Sequence, residues 1–461
     1  MSNPIGAAKG RGWECHVLII VQNLPIQVDR RVLLELHELL DRGYQVSLIC
    51  PKGPGDPDRE TIDGARIYKY APAPVAKGLA GYVLEFAYSW LRTAWLSIAA
   101  WREGGRFHVI QACNPPDTYW LLARLWRPFG VKFVFDHHDL NPELFFSRFG
   151  EPKTGGQVAQ LKGLLWLERM TFRTADRAIS TNDSYRAIAI RRGGLDPDDV
   201  SVVRSGPDTA RMRPIYPESP APQGTHLLAY LGIMGPQDGV DQVLEVMAEL
   251  VTRRGRSDIH AVLMGFGDCL DDLRAQCTAL GLDEQVTFTG RVDRKAIGEY
   301  LSRADVGVCP DLKTPLNDIS TMNKTLEYMA YALPSVSFDL VETRVSGGEA
   351  VRYVRSGDIS AFADEVERLI DDPALRARMG KEARRRVTEQ FDWRGQARVY
   401  SGVFDVLSGR PAPGDAEPVR AGSDTDEWGR RYVPLEDEAE LERYIVERRR
   451  RWTAPPSNGD S

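Results

Sequence analysis

The chain has 461 residues, of which 43% are apolar and 27% are charged; this is the composition of a globular protein and excludes a disordered, collagen-like or multi-span membrane chain. At about 150 residues per domain, the length predicts two large domains with tails, or three domains. The net charge of −6 argues against a general nucleic-acid-binding protein.

The six cysteines indicate a reducing compartment. None of them stand at CxxC spacing, which disfavours both a disulfide framework and a zinc site. The first 14 residues lack the apolar core that a signal peptide needs. We therefore expect a cytoplasmic protein with an N-terminal tail over residues 1–14.

The first half alternates apolar strands with amphipathic helices. Uninterrupted apolar runs are typical of strands that are buried on both faces of a parallel sheet, and apolar residues at helical spacing follow them. The predicted strands are Cys15–Val21, Gln45–Cys50, Val109–Cys113, Lys132–Asp136 and Arg177–Thr181, and the predicted helices are Val32–Leu40, Thr118–Trp126, Leu161–Thr174 and Ser184–Arg192. This alternation predicts a doubly wound α/β domain over residues 15–205.

A proline-rich stretch over residues 206–225 predicts a linker, after which the alternation restarts. The second series has strands His226–Leu231, Ile259–Met264, Val286–Thr289, Val306–Cys309 and Ser335–Phe338, and helices Gln242–Arg253, Leu270–Leu280, Arg294–Ser302 and Thr321–Leu333. It predicts a second α/β domain over residues 226–390, followed by an amphipathic helix over 391–408. The polar residues 409–461 predict a mostly disordered tail with one charged helical stretch, Glu436–Trp452.

The segment Val75–Trp101 predicts a helix that is rich in aromatic residues. Charged residues interrupt it, so it lacks the run of ~18 uncharged apolar residues that a membrane-spanning helix needs. Two interpretations stay open, namely a helix packed on the protein surface and a helix that rests in a membrane interface. The second interpretation predicts peripheral membrane contact through Trp90 and Trp95.

Two first-half loops at predicted strand ends carry candidate binding residues. The loop over residues 22–31 lacks a GxGxxG pattern, which disfavours a dinucleotide-dependent dehydrogenase. Asn23, Arg30 and Arg31 lie where open sheets bind ligands, and either arginine could meet an anionic substrate; the alternative is a solvated helix start with Asp29 as N-cap. Asn114, after the third predicted strand, either borders the same crevice or belongs to a plain turn.

Four polar residues, Asp136-His137-His138-Asp139, follow the next strand. A metal site is disfavoured because adjacent side chains point to opposite faces and cannot converge on one ion. A histidine here suits a hydrogen bond to a substrate or leaving group. Asp139 and Glu143 extend the same candidate loop.

The segment Asp318–Ala330 carries the strongest second-half motif. Ser320 is a candidate N-cap, and Ser320, Lys324 and Glu327 share one helical face. A helix N-terminus with a lysine one turn in predicts a phosphate site, and the glutamate could accept hydrogen bonds from a ribose. The alternative is an exposed Lys–Glu pair without a ligand. Gly232, Gly265 and Gly267 follow neighbouring strands, where a ligand could approach the backbone.

The ordered set of motifs resembles glycosyltransferase family 4, the retaining nucleotide-sugar enzymes of the GT-B fold, over Cys15 to Leu407. The segments NLPIQVDRRV, NPPD, FDHHDLNPE and ADRAISTNDSY resemble its bacterial exopolysaccharide and O-antigen branch. The resemblance implies two Rossmann-like domains facing a cleft and a last helix that crosses back to the first domain. It also implies a UDP- or GDP-linked sugar on the second domain and a glycan acceptor, expected to be lipid-linked, on the first. It implies no metal and no cofactor.

Carried over by position, the resemblance implies that Glu327 holds the ribose and that Arg291 and Val292 border the nucleobase. It further implies that Thr321, Met322 and Asn323 present backbone N–H groups to the diphosphate, and that His138 meets the donor sugar and its leaving phosphate. The implied catalytic residues are His138, Lys324 and Glu327.

The sequence departs from the family pattern in the second half. Ile319 occupies the place of a glutamate, which Asp318 or Asn317 replaces. Ile233 and Asp238 occupy the places of the arginine and lysine that neutralise the diphosphate, so Lys324, Arg204 or Arg344 must supply that charge. Two alternatives stay open: a nucleotide-sugar 2-epimerase, and a non-catalytic partner that binds a nucleotide sugar.

Overall fold

The computed structural model describes residues 15–73, 78–217, 225–411 and 424–448. The predicted N-terminal tail, Val75–Lys77, part of the predicted linker and both ends of the predicted C-terminal tail lie outside the described residues. The chain divides into two compact units. The first runs up to Arg204 and resumes at Gln396; the second runs from Ser205 to Gly395 and includes the segment 424–448.

The first unit is built on a sheet of eight strands. Its elements are β1 (His16–Ile20), α1 (Arg30–Asp41), β2 (Gln45–Pro51), β3 (Arg59–Ile62), β4 (Ala65–Tyr70), α2 (Gly78–Gly104), β5 (Val109–Cys113), α3 (Trp120–Trp126), β6 (Lys132–His137), α4 (Asn141–Phe149), α5 (Gly155–Thr174), β7 (Arg177–Ser180), α6 (Asp183–Arg191) and β8 (Val200–Val202). The strand order is β3-β4-β2-β1-β5-β6-β7-β8, and β3 is antiparallel to β4 whereas the other pairs are parallel. Every residue of β1 and β5 is buried, as their uninterrupted apolar runs predict.

The second unit is built on a parallel sheet of six strands. Its elements are β9 (His226–Leu231), α7 (Val240–Ala248), β10 (Ile259–Met264), α8 (Leu270–Ala279), β11 (Val286–Gly290), α9 (Arg294–Arg303), β12 (Val306–Cys309), α10 (Asn323–Ala330), β13 (Ser335–Phe338), α11 (Val341–Gly347), β14 (Val351–Val354), α12 (Ile359–Asp371) and α13 (Pro373–Arg386). The strand order β11-β10-β9-β12-β13-β14 reverses direction between β9 and β12. That reversal is a topological switch point, the place where open α/β sheets bind ligands.

The helix α14 (Trp393–Ser408) takes the chain from the second unit into the first. Its buried residues in the first unit include Tyr400, Phe404 and Asp405. The Tyr44 hydroxyl donates to Asp405 at 2.7 Å, and Arg42 pairs with the same carboxylate at 2.9 Å. Helix α14 is thus held in the first unit by buried polar contacts as well as by apolar packing.

The expectation of a mostly disordered tail is wrong for residues 424–448, which pack on the second unit. The predicted charged helix is present as α15 (Glu438–Glu447), and Leu441, Tyr444 and Ile445 bury against Ala332 and other apolar residues. Apolar residues spaced among charges give this helix one buried face, which is enough to hold it on the second unit. Residues 412–423 and 449–461 lie outside the described part of the chain.

The helix predicted from Val75 is present as α2, with an unusual distribution of side chains. Small polar residues face the core: Ser89, Thr93 and Ser97 are buried. Large apolar residues face outward, with Leu91 63% exposed and Trp95 58% exposed. In the described ranges of the chain, no helix has both the length and the apolar character needed to cross a bilayer.

Candidate functional site

The second unit brings the loops after β9 and β12 together at its switch point. A Cβ on Gly232 would lie 2.9 Å from the Tyr230 hydroxyl and 3.3 Å from Cε of Lys324. The Asn317 side chain donates to the carbonyl of Gln237 at 2.9 Å, which ties the two loops to each other. The predicted residues Gly232 and Lys324 therefore lie side by side.

Helix α10 is anchored in this switch point by Tyr328. The Tyr328 hydroxyl accepts a hydrogen bond from the Leu231 N–H at 3.0 Å and donates to the Val308 carbonyl at 3.2 Å. Gly307 is required beside it, because a Cβ there would lie 2.4 Å from the Tyr328 ring. Both strands that flank the switch point thus fix the position of α10.

Lys324 is not an exposed partner of Glu327, so that alternative is wrong. Its side chain is only 8% exposed, and Nζ lies 2.6 Å from Oδ1 of the buried Asp311. Burial alone would lower the pKa of Lys324, but the Asp311 carboxylate outweighs burial and raises it. The lysine is therefore a permanent cation whose charge is balanced by Asp311, a residue that sequence reasoning missed.

The N-terminus of α10 differs from the prediction. The helix starts at Asn323, two residues later than predicted, and its N-cap is Met322, which provides no side-chain cap. Ser320 is not the N-cap, because its hydroxyl donates to the Leu316 carbonyl at 2.8 Å. Within this first turn the Thr325 N–H donates to the Met322 carbonyl at 3.0 Å. Asn323 is exposed there, and Thr321, Met322 and Glu327 are half-buried.

The glycines of the β10 loop allow two backbones to touch. A Cβ on Gly265 would lie 1.8 Å from the Gly232 carbonyl oxygen, and one on Gly267 would lie 2.5 Å from the Met234 carbonyl oxygen. Any other residue would push these loops apart, so the glycines are needed for loop packing. Their predicted role in the approach of a ligand stays a prediction.

An exposed aromatic–cation pair lies next to these glycines. The Arg291 guanidinium lies 5.2 Å from the centroid of the Phe266 ring, and Phe266 is exposed. Val292, the other predicted nucleobase neighbour, is half-buried against the apolar core. The loops after β10 and β11 thus present a flat aromatic ring and a planar cation at one edge of the sheet.

The other predicted cations and the replacement acid are engaged elsewhere. Arg344 makes a two-pronged pair with Asp339 and is exposed. Asp318 accepts a hydrogen bond from the Val341 N–H at 2.9 Å and pairs with Lys313 at 3.1 Å. Arg204 belongs to the first unit, where it pairs with Asp183 at 2.8 Å.

The residues that occupy the family's cation positions supply no positive charge. Ile233 is exposed, and Asp238 accepts a hydrogen bond from the Gly235 N–H at 2.9 Å. Burial raises the pKa of Asp238, although Lys324 opposes the rise. Lys324 lies beside Gly232 of the β9 loop and pairs with Asp311 of the β12 loop, so its cation is placed next to both described loops.

In the first unit, Arg31 is buried in a network of charges and does not face solvent. Its side chain is 9% exposed and lies 2.9 Å from Glu35 and 3.2 Å from Asp136; it also donates to the Val203 carbonyl at 2.9 Å. Burial would lower the pKa of Arg31, but the two carboxylates raise it. Protein groups already surround its guanidinium, His138 among them, and a contact between Arg31 and a substrate stays a prediction.

The two histidines of the motif have separate environments. His137 is buried among the rings of Phe135, Phe172 and Tyr185, each 5.2 Å away, and burial lowers its pKa to about 3. His138 keeps 16% of its side chain exposed, and its Nε2 lies 2.8 Å from Oδ2 of Asp136. Only His138 thus combines an oriented ring with access to solvent.

The loop around His138 is shaped by Asn114. The Asn114 amide oxygen accepts from the backbone N–H of His138 at 2.6 Å and of Asp139 at 3.1 Å. Its nitrogen donates to the Asp139 carbonyl at 2.7 Å and to Asp117 at 3.1 Å. Asn114 is therefore a buried clamp of this loop, and its predicted place beside a ligand crevice stays a prediction.

The remaining predicted acceptor residues are spread along the same sheet edge. Asp29 caps α1 by accepting from the Val32 N–H at 3.1 Å, as predicted. Asn23 and Asp139 are exposed and Arg30 is half-buried. Glu143 on α4 pairs with Arg192 at 2.6 Å, so its carboxylate is already engaged.

Four groups of the kinds that bind metals come within 4.8 Å of one another in the first unit: Glu35, Cys113, Asp136 and His138. Arg31 pairs with two of them, so a guanidinium already supplies the positive charge in this cluster. A divalent ion would have to displace or repel Arg31. The cluster is accordingly better described as a hydrogen-bonded charge network than as a metal centre.

Comparison with known proteins explains why two such units occur in one chain. Residues 28–206 match the family model described as glycosyl transferase 4-like domain, and residues 225–372 match the model described as glycosyl transferases group 1. The chain is 30% identical over 379 residues to alpha-D-kanosaminyltransferase of Streptomyces kanamyceticus, with 77% of this chain and 92% of that protein covered. It is 27% identical to D-inositol 3-phosphate glycosyltransferase 2 of Catenulispora acidiphila, over 71% of this chain and 76% of the relative.

Solved structures share the fold. Sucrose-phosphate synthase of Thermosynechococcus elongatus superposes with a TM-score of 0.69 at 19% identity, covering 86% of this chain and 99% of that one. HepE of Anabaena, in complex with UDP-glucose, superposes with a TM-score of 0.59 at 14% identity, covering 86% of this chain and 99% of that one. The chain therefore belongs to the glycosyltransferases of the GT-B fold, with a glycosyl transferase 4-like domain followed by a glycosyl transferase group 1 domain.

Proposed function

We propose that this protein is a metal-independent, retaining hexosyltransferase of glycosyltransferase family 4, from the bacterial exopolysaccharide and O-antigen branch. It moves a hexose-type sugar from a UDP- or GDP-linked donor to a lipid-linked glycan acceptor during assembly of a cell-surface polysaccharide. The observation that carries the proposal is the convergence of Gly232, Gly265, Lys324 and the uncapped start of α10 at the switch point of the second unit.

The donor binds to the second unit in this proposal. The backbone N–H groups of Thr321, Met322 and Asn323, which lead into α10, receive the diphosphate, since a helix N-terminus stabilises negative charge. Glu327, one turn further along, accepts hydrogen bonds from the ribose hydroxyls. The nucleobase lies by Phe266 and Arg291, whose exposed planar groups at 5.2 Å suit stacking. The presence of UDP-glucose in the HepE structure supports this class of donor.

Lys324 contributes to catalysis through its charge in this proposal. Negative charge grows on the leaving diphosphate as the glycosidic bond breaks, so a nearby fixed cation stabilises the transition state more than the ground state. Asp311 keeps Lys324 in place and balances its charge while the site is empty. His138 of the first unit is the third catalytic residue of the proposal, as a hydrogen-bond donor to a sugar or phosphate oxygen.

Contact with an anionic membrane surface is part of the proposal, because it would bring the protein to a lipid-linked acceptor. The outward face of α2 carries large apolar residues, and α3 and α5 have exposed apolar residues as well. The exposed members of these three helices are Val83, Leu84, Leu91, Trp95, Ile98, Leu121, Leu125 and Trp166. Arg92 lies over Trp95 at 5.6 Å and Arg124 over Trp120 at 5.2 Å. Apolar side chains interleaved with arginines suit the interface of an anionic bilayer.

A donor panel tests the proposed function. The purified protein is incubated with UDP-glucose, UDP-N-acetylglucosamine or GDP-mannose, with and without a polyprenyl-diphosphate-linked sugar, and the released nucleotide and the glycolipid are measured. We expect one donor to release its nucleotide only when the acceptor is present, with the sugar appearing on the lipid. Nucleotide release without any transferred sugar would favour the epimerase, and no release from any donor would favour the non-catalytic partner.

A further inference from the structure

A chain of buried hydrogen bonds leads from the last helix of the first unit to His138. The Tyr400 hydroxyl on α14 donates to Oε1 of Gln111 at 2.6 Å, and Nε2 of Gln111 donates to Oδ2 of Asp136 at 2.8 Å. The same Asp136 oxygen lies 2.8 Å from Nε2 of His138. Tyr400, Gln111 and Asp136 are fully buried, so water does not compete for these bonds.

Tyr400 determines which way the Gln111 amide faces. Nε2 of Gln111 donates to Asp136 and also to Oε2 of Glu35, each at 2.8 Å. An ionised carboxylate only accepts hydrogen bonds, so the amide must present its nitrogen to Asp136 and its oxygen to a donor. The Tyr400 hydroxyl is that donor. Without it, a flip of the amide would place an oxygen against the Asp136 carboxylate.

The charges in the network orient the ring of His138. Burial raises the pKa of Glu35 well above its usual value. Burial opposes ionisation of Asp136 as well, but His138 and Arg31 outweigh it and lower the Asp136 pKa. Nε of Arg31 donates to the same Nε2 of His138 at 3.0 Å and lies 2.9 Å from Oε1 of Glu35. Asp136 and Arg31 thus both contact Nε2 of His138, and together they fix the orientation of its ring.

We propose that Tyr400 and Gln111 are positioning residues for His138, acting through Asp136. Tyr400 fixes the Gln111 amide, Gln111 and Arg31 fix the Asp136 carboxylate, and Asp136 and Arg31 hold the His138 imidazole at its Nε2. Helix α14 thereby helps to position His138, through Tyr400, and also packs in the first unit. The inference rests on the proposed function only for the role of His138 in transfer.

The test compares Tyr400→Phe with Tyr44→Phe in the full-length protein. Both substitutions remove one buried hydroxyl that contacts or belongs to α14, because the Tyr44 hydroxyl donates to Asp405 at 2.7 Å, but only Tyr400 touches Gln111. The first measurement is the ¹⁵N spectrum of the histidine rings, in which His138→Ala identifies the His138 signals. The second is steady-state kinetics with the donor selected by the panel.

We expect one set of His138 ring signals in the wild type, the same signals in Tyr44→Phe, and shifted or doubled His138 signals in Tyr400→Phe. We also expect kcat to fall about tenfold in Tyr400→Phe with the donor KM nearly unchanged, because misplacement of a catalytic group costs transition-state stabilisation. Unchanged His138 signals and kcat in Tyr400→Phe would overturn the inference, and so would equal changes in both variants. If His138→Ala retains full kcat, the proposed role of His138 fails, while the ring spectra still decide whether Tyr400 positions it.

Discussion

At the scale of single residues, the structure shows that Lys324 is a buried cation paired with Asp311 and not an exposed partner of Glu327. The sequence motif correctly places Lys324 and Glu327 on the helix at the switch point, because helical spacing is visible in the sequence. The partner of Lys324 is Asp311, 13 residues earlier in a loop, and no periodicity connects the two. The same is true of Tyr400 and Gln111, which are 289 residues apart. Long-range polar partners of this kind depend on how elements pack, so the sequence pattern leaves them open.

The ion pair between Lys324 and Asp311 predicts a clear pattern of stability. Lys324→Met leaves the Asp311 carboxylate buried without its cation, which costs about 3–5 kcal/mol of unfolding free energy when a buried pair loses one partner. The double variant Lys324→Met/Asp311→Asn removes both charges and should recover most of that loss. Urea unfolding of the wild type, both single variants and the double variant measures the coupling. A Lys324→Met variant as stable as the wild type would show that the pair contributes nothing.

At the scale of elements, the alternation of strands and helices was predictable and the irregular additions were not. The strands predicted in both halves are present, because buried parallel strands give uninterrupted apolar runs. The hairpin of β3 and β4 has no such run: β3 alternates half-buried with exposed residues at the sheet edge. The buried apolar residues of α15 are Leu441, Tyr444 and Ile445, which lie among charged neighbours. Three such residues are too few to predict from the sequence that this helix packs on the second unit.

The structure shows which aromatic residues of helix α2 are exposed, a point that the sequence leaves open. Aromatic residues occur on all sides of the predicted helix, so the sequence cannot tell which ones are exposed. In the structure Trp90 is half-buried and packs against the core, whereas Trp95 is exposed. Trp90 is therefore a poor probe of a membrane surface, because its substitution would disturb the fold.

The membrane proposal predicts that the double variant Leu91→Ser/Trp95→Ser loses affinity for anionic vesicles. Each large apolar side chain that leaves water contributes about 1.5–3 kcal/mol, so binding should fall at least tenfold. Co-sedimentation with phosphatidylglycerol vesicles measures this, and phosphatidylcholine vesicles should bind the wild type more weakly. Trp428→Ser, which removes an exposed tryptophan from the second unit, is the matched control. Equal sedimentation of the double variant and the wild type, or none by either, would contradict the proposal.

At the scale of the whole molecule, two α/β units with separate sheets carry the two sets of candidate residues. The family follows from matches that span both units, and the order of motifs along the chain was sufficient to predict the fold. Strand order was not, because the sequence gives the succession of strands and not their neighbours in the sheet. The reversal between β9 and β12 is a property of the folded sheet, and it brings the loops after these two strands together.

The central claim is that the helix start and Glu327 in the second unit bind a nucleoside diphosphate. Calorimetric titration of UDP and GDP into the wild type, Glu327→Gln and the exposed control Glu284→Gln tests it most directly. We predict that one nucleotide binds the wild type and the control equally, and that Glu327→Gln binds it roughly tenfold to a hundredfold more weakly, since a hydrogen bond to a charged group contributes ~1.5–3 kcal/mol. Unchanged affinity in Glu327→Gln would contradict the account, because the donor would then bind elsewhere than at α10.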